Sequence, residues 1–398
     1  MRADQTSLLE SVCPACHYSL AAQFFFGEAQ PLSTLGWPSS PEQAKAMPKH
    51  PLDYVQCTRC THIWNQSFLY EAIPYSKQPN RMFNSGITWQ GHLKTVRDIA
   101  MSDLPSSPTV IDIGCGEGHF VRGISEELNT EGRFIGFDPN SSPESSLGFE
   151  FQCRLFDPLV DIQKFVPDLL IMRHVLEHLA YPARFMDQLA WAANQLEKPV
   201  FFMAEVPCID NALASNRLVD FFYEHPSQFT TESLQRLLNR GGQNVMLGHG
   251  YENEVVFGKV LLGVPTDYER HAGNSRMFSH KAEEVIFSIR RQLKQLVAEG
   301  HSIAIWGGTG KAAAFMNLYE VDAENFPLVV DSDRNKVGTF VPKTGQKIQY
   351  LDVLKRKPVD IIIVPSRWRV KDIVAEIQRE GIVTGKVLVE LSGQMVEA

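Results

Sequence analysis

Val110-Ile-Asp-Ile-Gly-Cys-Gly-Glu-Gly118 is the stretch on which the reading of this 398-residue chain turns. An apolar run of strand length ends in three glycines at alternate positions, and a helix is expected to start near His119. Gly114, Gly116 and Gly118 let the backbone turn sharply and approach a ligand closely, and the helix start they open presents its N–H groups to that ligand. Asp138 ends the next expected strand, where its carboxylate can accept the two hydroxyls of a ribose. Asp157 ends a further segment, in a position suited to an adenine amino group. A glycine fingerprint alone is weak, and the acid at the end of the following strand is what strengthens it. A nicotinamide-binding Rossmann domain is the alternative, although that class normally spaces its glycines Gly-x-Gly-x-x-Gly.

Outward from this turn the same pattern repeats. Strands are expected at residues 109–113, 134–137, 168–172 and 200–204, and helical periodicity at 91–101, 182–195 and 232–239. Alternation of short apolar strands with helices implies a parallel sheet covered on both faces. A helix over 280–299 opens a second series, with strands at 302–306, 328–330, 360–364 and 386–390. The fold class is therefore α/β, with two Rossmann-like units in tandem behind a separate N-terminal segment. The expected division is 1–80, 81–272 and 273–398.

The composition is that of an ordinary globular protein, 44% hydrophobic and 21% charged, and the net charge of -8 argues against a nucleic-acid surface built on general basicity. No apolar run reaches the roughly 20 residues of a membrane span, and no secretory apolar region follows the N-terminus, so a cytoplasmic protein without disulfides is expected. Cys13-Pro-Ala-Cys16 and Cys57-Thr-Arg-Cys60 form two Cys-x-x-Cys knuckles, while Cys115, Cys153 and Cys208 are scattered. Each knuckle aims two thiolates at one cation, and four thiolates close a tetrahedral structural zinc site with no open position for water. The first 80 residues are rich in Pro and Gly, with 31–51 reading as an extended loop, so a metal would supply stability that a small core lacks.

The Asp112-x-Gly-x-Gly-x-Gly118 pattern resembles motif I of class I S-adenosylmethionine methyltransferases, and Asp168-Leu-Leu-Ile-Met-Arg-His-Val-Leu-Glu-His178 looks like their fourth strand and the turn after it. The resemblance implies that Asp112, the three glycines, Asp138, Asp157 and His174 hold the methyl donor. His178 is expected to pack or to cap a helix.

The order of a four-cysteine module, a methyltransferase core and a second Rossmann-like unit resembles the zinc-containing sugar C-methyltransferases, which act on nucleotide-linked keto-deoxysugars. Pro51-Leu52, Pro74-Tyr75-Ser76, Ala204-Glu205-Val206-Pro207 and Phe222-Tyr223-Glu224-His225 look like signatures of that family. Its usual block is Tyr-His-Glu-His, which implies that His225 is the base that removes a proton beside the ketone. Glu224 would then orient His225, and Tyr75 would donate to the enolate oxygen. Phe222 stands where the family has its first tyrosine, and Tyr223 brings a hydroxyl one position later. The family's later Gly-Gly-Ser segment has no clear match near Leu247-Gly-His-Gly-Tyr-Glu-Asn253. O- or N-methylation of another small metabolite, and a non-catalytic donor-binding scaffold, are the alternatives.

Trp306-Gly-Gly-Thr-Gly-Lys-Ala-Ala-Ala314 again joins a strand to a helix, with Asp331 at the end of the next strand, which on pattern alone is a dinucleotide signature. Lys311 at the helix start equally suits a compact anion such as the diphosphate of a nucleotide sugar. The resemblance implies that this unit helps hold the substrate, through Gly308, Gly310 and Lys311. A purely structural duplicate and a nicotinamide site are the other readings. Arg367-Trp368-Arg369 offers stacking and charge for a nucleotide.

Overall fold

The computed structural model describes residues 8–35, 37–73, 86–128, 132–140 and 148–398, and the chain forms two compact units, Met1–Pro265 and Thr266–Ala398. In the first unit the cysteine-bearing segment is an antiparallel sheet. Strands β1 (Leu8–Glu10), β2 (Leu20–Gln30), β3 (His50–Cys57) and β4 (Ile63–Asn65) are joined at the edge by β10 (Ser227–Gln228), in the order β1-β2-β3-β4-β10. The stretch expected to be an extended loop holds a short helix, α1 (Pro41–Lys45), whose N-cap Ser40 side chain accepts from the Gln43 N–H, and the first residues of β3. Ser227 pairs with Trp64 and Gln228 with Ile63, so strand β10 sews the chain just after His225 to the cysteine-bearing sheet. A core around Tyr54, Phe221 and Tyr223 also takes in Ala212 of α6 (Asp210–Ser215).

The glycine turn sits in a seven-stranded sheet of β5 (Thr109–Ile113), β6 (Arg133–Phe137), β7 (Glu150–Gln152), β8 (Leu169–Arg173), β9 (Phe201–Pro207), β11 (Gly242–Gly250) and β12 (Val255–Leu262), ordered β11-β12-β9-β8-β5-β6-β7. Strands β5 to β9 in this sheet pair in parallel, and their side chains alternate between two cores. Ile111, Ile135 and Leu170 face helices α4 (Pro158–Phe165), α5 (Pro182–Asn194) and α7 (Thr231–Gly241). Val110, Phe134 and Leu169 face α2 (Ile87–Met101) and α3 (His119–Leu128). Burial on both faces is why these strands read as continuous apolar runs.

The expectation of an all-parallel sheet is corrected at one edge, where β12 runs antiparallel to β9 and β11 antiparallel to β12. The physical reason is the tight connection at Tyr251, Glu252 and Asn253, all with positive φ (48°, 58° and 65°), since so short a link can return the chain only as a hairpin.

In the second unit α8 (Thr266–Ala298) begins well before the expected residue 280. It leads into a sheet of β13 (Ile303–Trp306), β14 (Leu328–Asp331), β15 (Ile348–Tyr350), β16 (Val359–Ile363), β17 (Thr384–Leu391) and β18 (Gln394–Glu397), ordered β15-β14-β13-β16-β17-β18 and parallel except for β18. Helix α9 (Lys311–Leu318) packs on one face, with α10 (Val353–Arg356) and α11 (Val370–Arg379) on the other. Strand order reverses between β13 and β16, the position at which open α/β sheets leave a crevice beyond their strand ends. Among the described residues no helix is long and apolar enough to cross a membrane.

Candidate active site

The turn after β5 is built by its glycines. Gly114, Gly116 and Gly118 have φ of +73°, +55° and +76°, a region that side chains disfavour. A Cβ on Gly114 would lie 2.3 Å from Val175 Cγ2, and one on Gly118 would lie 2.1 Å from the Phe149 ring. At Gly116 a Cβ would meet no protein atom within 4 Å, so the turn opens onto space there. Asp138, just beyond β6, accepts from the Gly116 N–H at 3.1 Å and the Asn140 N–H at 2.8 Å, which fixes its carboxylate at the lip of that opening. Asp112 is buried, and burial, opposed by Arg173 and reinforced by Asp138, pushes its carboxyl up to about 7. A cation brought beside such a buried acid would favour its charged form, and the ammonium of an amino-acid-bearing nucleoside is one. These residues fit a bound S-adenosylmethionine.

Asp157, expected near the adenine, is the N-cap of α4, its carboxylate accepting from Leu159 N at 3.0 Å and Val160 N at 3.3 Å. Its capping bonds account for that carboxylate in the structure.

Next to the turn lies a buried ionic cluster that joins the Glu205 and His174 segments of the sequence motifs to His92 and Trp89, which no motif announces. Glu205 of β9 is fully buried, accepts from Arg173 (2.6 Å), and lies 2.7 Å from His92 Nε2 and 3.1 Å from His174 Nε2. Burial alone would raise its carboxyl, but Arg173 and the two imidazoles outweigh it and hold Glu205 well below the usual carboxylate range. His174 has a left-handed backbone, φ +53°. Burial disfavours its charged form, yet Glu177 and Glu205 overcome this and raise its pKa. Trp89 of α2 closes the cluster, with its ring 6.0 Å from that of His174 and Arg173 5.9 Å from its face. The signal that could have found it is the acid itself, a lone Glu inside the apolar strand Phe201–Pro207, because a carboxylate is almost never fully buried unless paired.

His178 and His225 meet on the rim of this region. Val175, whose methyl fills the space that Gly114 leaves, leads through a single 3-10 turn (Leu176–His178) to His178. The His178 ring lies edge-on to His225 with centroids 4.7 Å apart, and Phe222 covers His225 at 4.1 Å. Tyr54 Oη donates to the Phe222 and His225 carbonyls at 2.8 and 3.0 Å, which fixes the loop that presents the imidazole. Burial and the neighbouring His178 push the His225 pKa down to about 3, against the pull of Glu177, so the ring is neutral at physiological pH. His178, expected to pack or cap, sends Nδ1 to the Glu224 carbonyl at 2.7 Å.

Glu224 is fully buried, and its Oε1 accepts from the backbone N–H groups of Thr34 (2.7 Å) and Leu35 (3.2 Å). Its side chain anchors the segment between the cysteine pairs, and its carbonyl accepts from His178. Tyr223 is buried too, stacked on His50 at 4.5 Å with its hydroxyl accepting from Leu69 N at 2.9 Å, a packing position in the core of the N-terminal sheet. Tyr75 lies outside the described residues.

The four cysteines converge. Cys13 Sγ is 3.5 Å from Cys60 Sγ and Cys16 Sγ 3.6 Å from Cys57 Sγ, and all four sulfurs lie within 4.8 Å of one another. A tetrahedron of Zn–S bonds of about 2.3 Å places sulfurs about 3.8 Å apart, so the cluster fits one zinc ion. In the second unit Lys311 starts α9, exposed, after Gly307 (φ +104°) and Gly310 (φ +58°), and a Cβ on Gly308 would strike Ile348 at 2.3 Å. An open cleft of about 610 Å³ there is lined by Lys311, Pro365, Arg367, Trp368 and Lys371, with Lys311 Nζ 6.0 Å from the Trp368 ring.

Residues 91–246 match the family model described as a methyltransferase domain, and residues 269–391 match that of the C-methyltransferase C-terminal domain. No curated protein matches the chain. Among solved structures, the plantazolicin methyltransferase BpumL in complex with SAH is similar at 14% identity and a TM-score of 0.32, covering 43% of this chain and 80% of that one. A possible histamine N-methyltransferase from Thermotoga maritima is similar at 15% identity and a TM-score of 0.31, covering 44% and 92%. Likenesses this distant carry no weight for function, whereas the two domain matches fall on the seven-stranded and six-stranded sheets. The chain is an S-adenosylmethionine-dependent methyltransferase of the class I fold, completed by a C-methyltransferase C-terminal domain.

Proposed function

We propose that the protein methylates a carbon beside the ketone of a nucleotide-linked sugar, with His225 as the base. The observation that carries this reading is the short path from the donor turn to the imidazole: Gly114 against Val175, one 3-10 turn to His178, and His178 edge-on to His225. The C-methyltransferase C-terminal domain supports carbon as the acceptor atom. When bound, S-adenosylmethionine supplies an electrophilic methyl on sulfonium, held by the glycine turn with Asp138 at its ribose and Asp112 toward its ammonium.

The neutral His225 takes the proton from the carbon beside the ketone, and the C–H electron pair moves into the enolate. The imidazolium that forms lies beside the Glu177 carboxylate, which favours the charged ring. Methyl transfer to that carbon, with the donor's thioether as leaving group, would ask mainly for positioning by the residues that hold donor and acceptor. Trp89 and Phe222 cover the neighbouring imidazoles with apolar surface and restrict water. In the C-terminal unit, Lys311, Arg367 and Lys371 beside Trp368 suit the diphosphate and base of a nucleotide. The four cysteines hold a structural zinc.

The test is solvent deuterium exchange into a nucleotide-linked keto-sugar without donor, followed by NMR. Exchange at the carbon beside the ketone that disappears in His225→Ala is expected. An acceptor that is methylated by the wild type without any such exchange would point to oxygen or nitrogen as the acceptor and would contradict the reading.

A further inference from the structure

We propose that Glu177, His178 and His225 also form a binding site for one divalent transition-metal ion, separate from the four cysteines, and that the occupied site withholds the His225 lone pair from substrate. Only this inhibition rests on the role of His225 as base. One donor atom from each of the three lies within 4.8 Å of the others. Glu177 is 2% exposed; His174 Nδ1 stands 3.6 Å from its Oε1 as an ion-pair partner, and neither carboxylate oxygen accepts a hydrogen bond among the described residues. One imidazole at that distance leaves the carboxylate oxygens without a close donor, and a buried carboxylate in that state gains from a cation in direct contact.

His178 is set up as a ligand. A carbonyl only accepts, so the 2.7 Å bond from His178 to the Glu224 carbonyl places a proton on Nδ1 and makes Nε2 the nitrogen that would coordinate an ion. A backbone carbonyl fixing the far nitrogen is the usual support of a metal-ligating histidine. On the other side, Tyr54 and Gln228 hold the His225 carbonyl, while its imidazole makes no hydrogen bond among the described residues. Two imidazoles and one carboxylate, with positions left open, suit iron, cobalt, nickel or zinc in the divalent state. Magnesium and calcium prefer all-oxygen shells. A metal on His225 occupies the electron pair that would accept the proton.

The experiment titrates Co2+, by calorimetry, into protein carrying one zinc ion per chain for the four cysteines, with binding of S-adenosylhomocysteine as the control for folding. One Co2+ per chain is expected in the wild type, lost in Glu177→Gln and in His178→Gln and kept in Cys208→Ser, which removes the separate Cys208, Asp210 and His249 group. In the wild type, Co2+ should also broaden the ring resonances of His178 and His225. No binding at millimolar Co2+, or binding that both ring-site variants retain, overturns the site. Bound Co2+ should lower methyl transfer at least about tenfold; unchanged turnover with the site filled overturns the inhibition. The binding arm needs no substrate, so its failure leaves the base untouched, and absence of deuterium exchange in metal-free protein counts against the base alone.

Discussion

His225 is neutral because of its surroundings; the same burial weakens it as a proton acceptor, so the proposed base depends on the Glu177 carboxylate to favour its charged form. Replacing His225 by Asn keeps a polar side chain and removes the basic nitrogen; turnover should fall by about 10²–10⁴ while S-adenosylhomocysteine binds as before. Asp112 offers a pH test. Its folded pKa of about 7 lies above the ordinary value of 3.8, so ionising it costs stability as pH rises through that window in the free protein. An ammonium beside it reverses the cost, so S-adenosylhomocysteine should bind more tightly as pH rises through about 7, and Asp112→Asn should flatten that dependence. Glu205→Ala leaves Arg173 without its buried partner and should cost about 3–5 kcal/mol in denaturant unfolding. At this scale the placement of Asp112 and Asp138 around the glycine turn was legible in the sequence, because they sit at strand ends, whereas Asp157 turned out to cap a helix. Glu205 stood in a recognisable block, but its partners His92 and Trp89 were hidden, since they reach it only when α2 packs on the sheet.

Elements decide where these side chains point. Strand β10 is two residues long, yet its pairing with β4 ties the His225 loop to the sheet that carries Cys57 and Cys60. Cys60→Ser should therefore release zinc, seen by metal analysis, and lower turnover more than it lowers donor binding, because β4 loosens while the glycine turn does not. A buried lysine does similar work for α2: Lys259 of β12 donates to the Ile99 carbonyl at 3.2 Å near the helix end, where a cation complements the helix dipole. The parallel strands were legible as apolar runs. The antiparallel ones were not, since β11 reads Gly-Gln-Asn-Val-Met-Leu-Gly-His-Gly and owes its strand conformation to pairing with β12 rather than to its own residues. The N-terminal sheet was likewise masked by its prolines and glycines.

Across the whole molecule, two α/β units carry two kinds of chemistry. The first has a glycine turn that opens on space beside acids, suited to a cationic donor. The second has a crevice of Lys311, Arg367, Lys371 and Trp368 at the strand-order reversal, suited to an anionic, aromatic ligand. Arg367→Glu should weaken binding of a nucleoside diphosphate at least about tenfold, and the wild-type affinity should fall with added salt, because exposed charges are screened. Tandem architecture was visible in the spacing of apolar runs, but the start of the long helix between them was not, because α8 runs through polar residues that show little periodicity.

The most direct measurement is a crystal structure with S-adenosylhomocysteine bound. The ribose is predicted on Asp138, the amino group toward Asp112, and the sulfur facing the His225 imidazole across a gap wide enough for one substrate carbon. A sulfur that faces away from His225, or a His225 ring walled off from it by Phe222 and His178, would contradict the proposed chemistry.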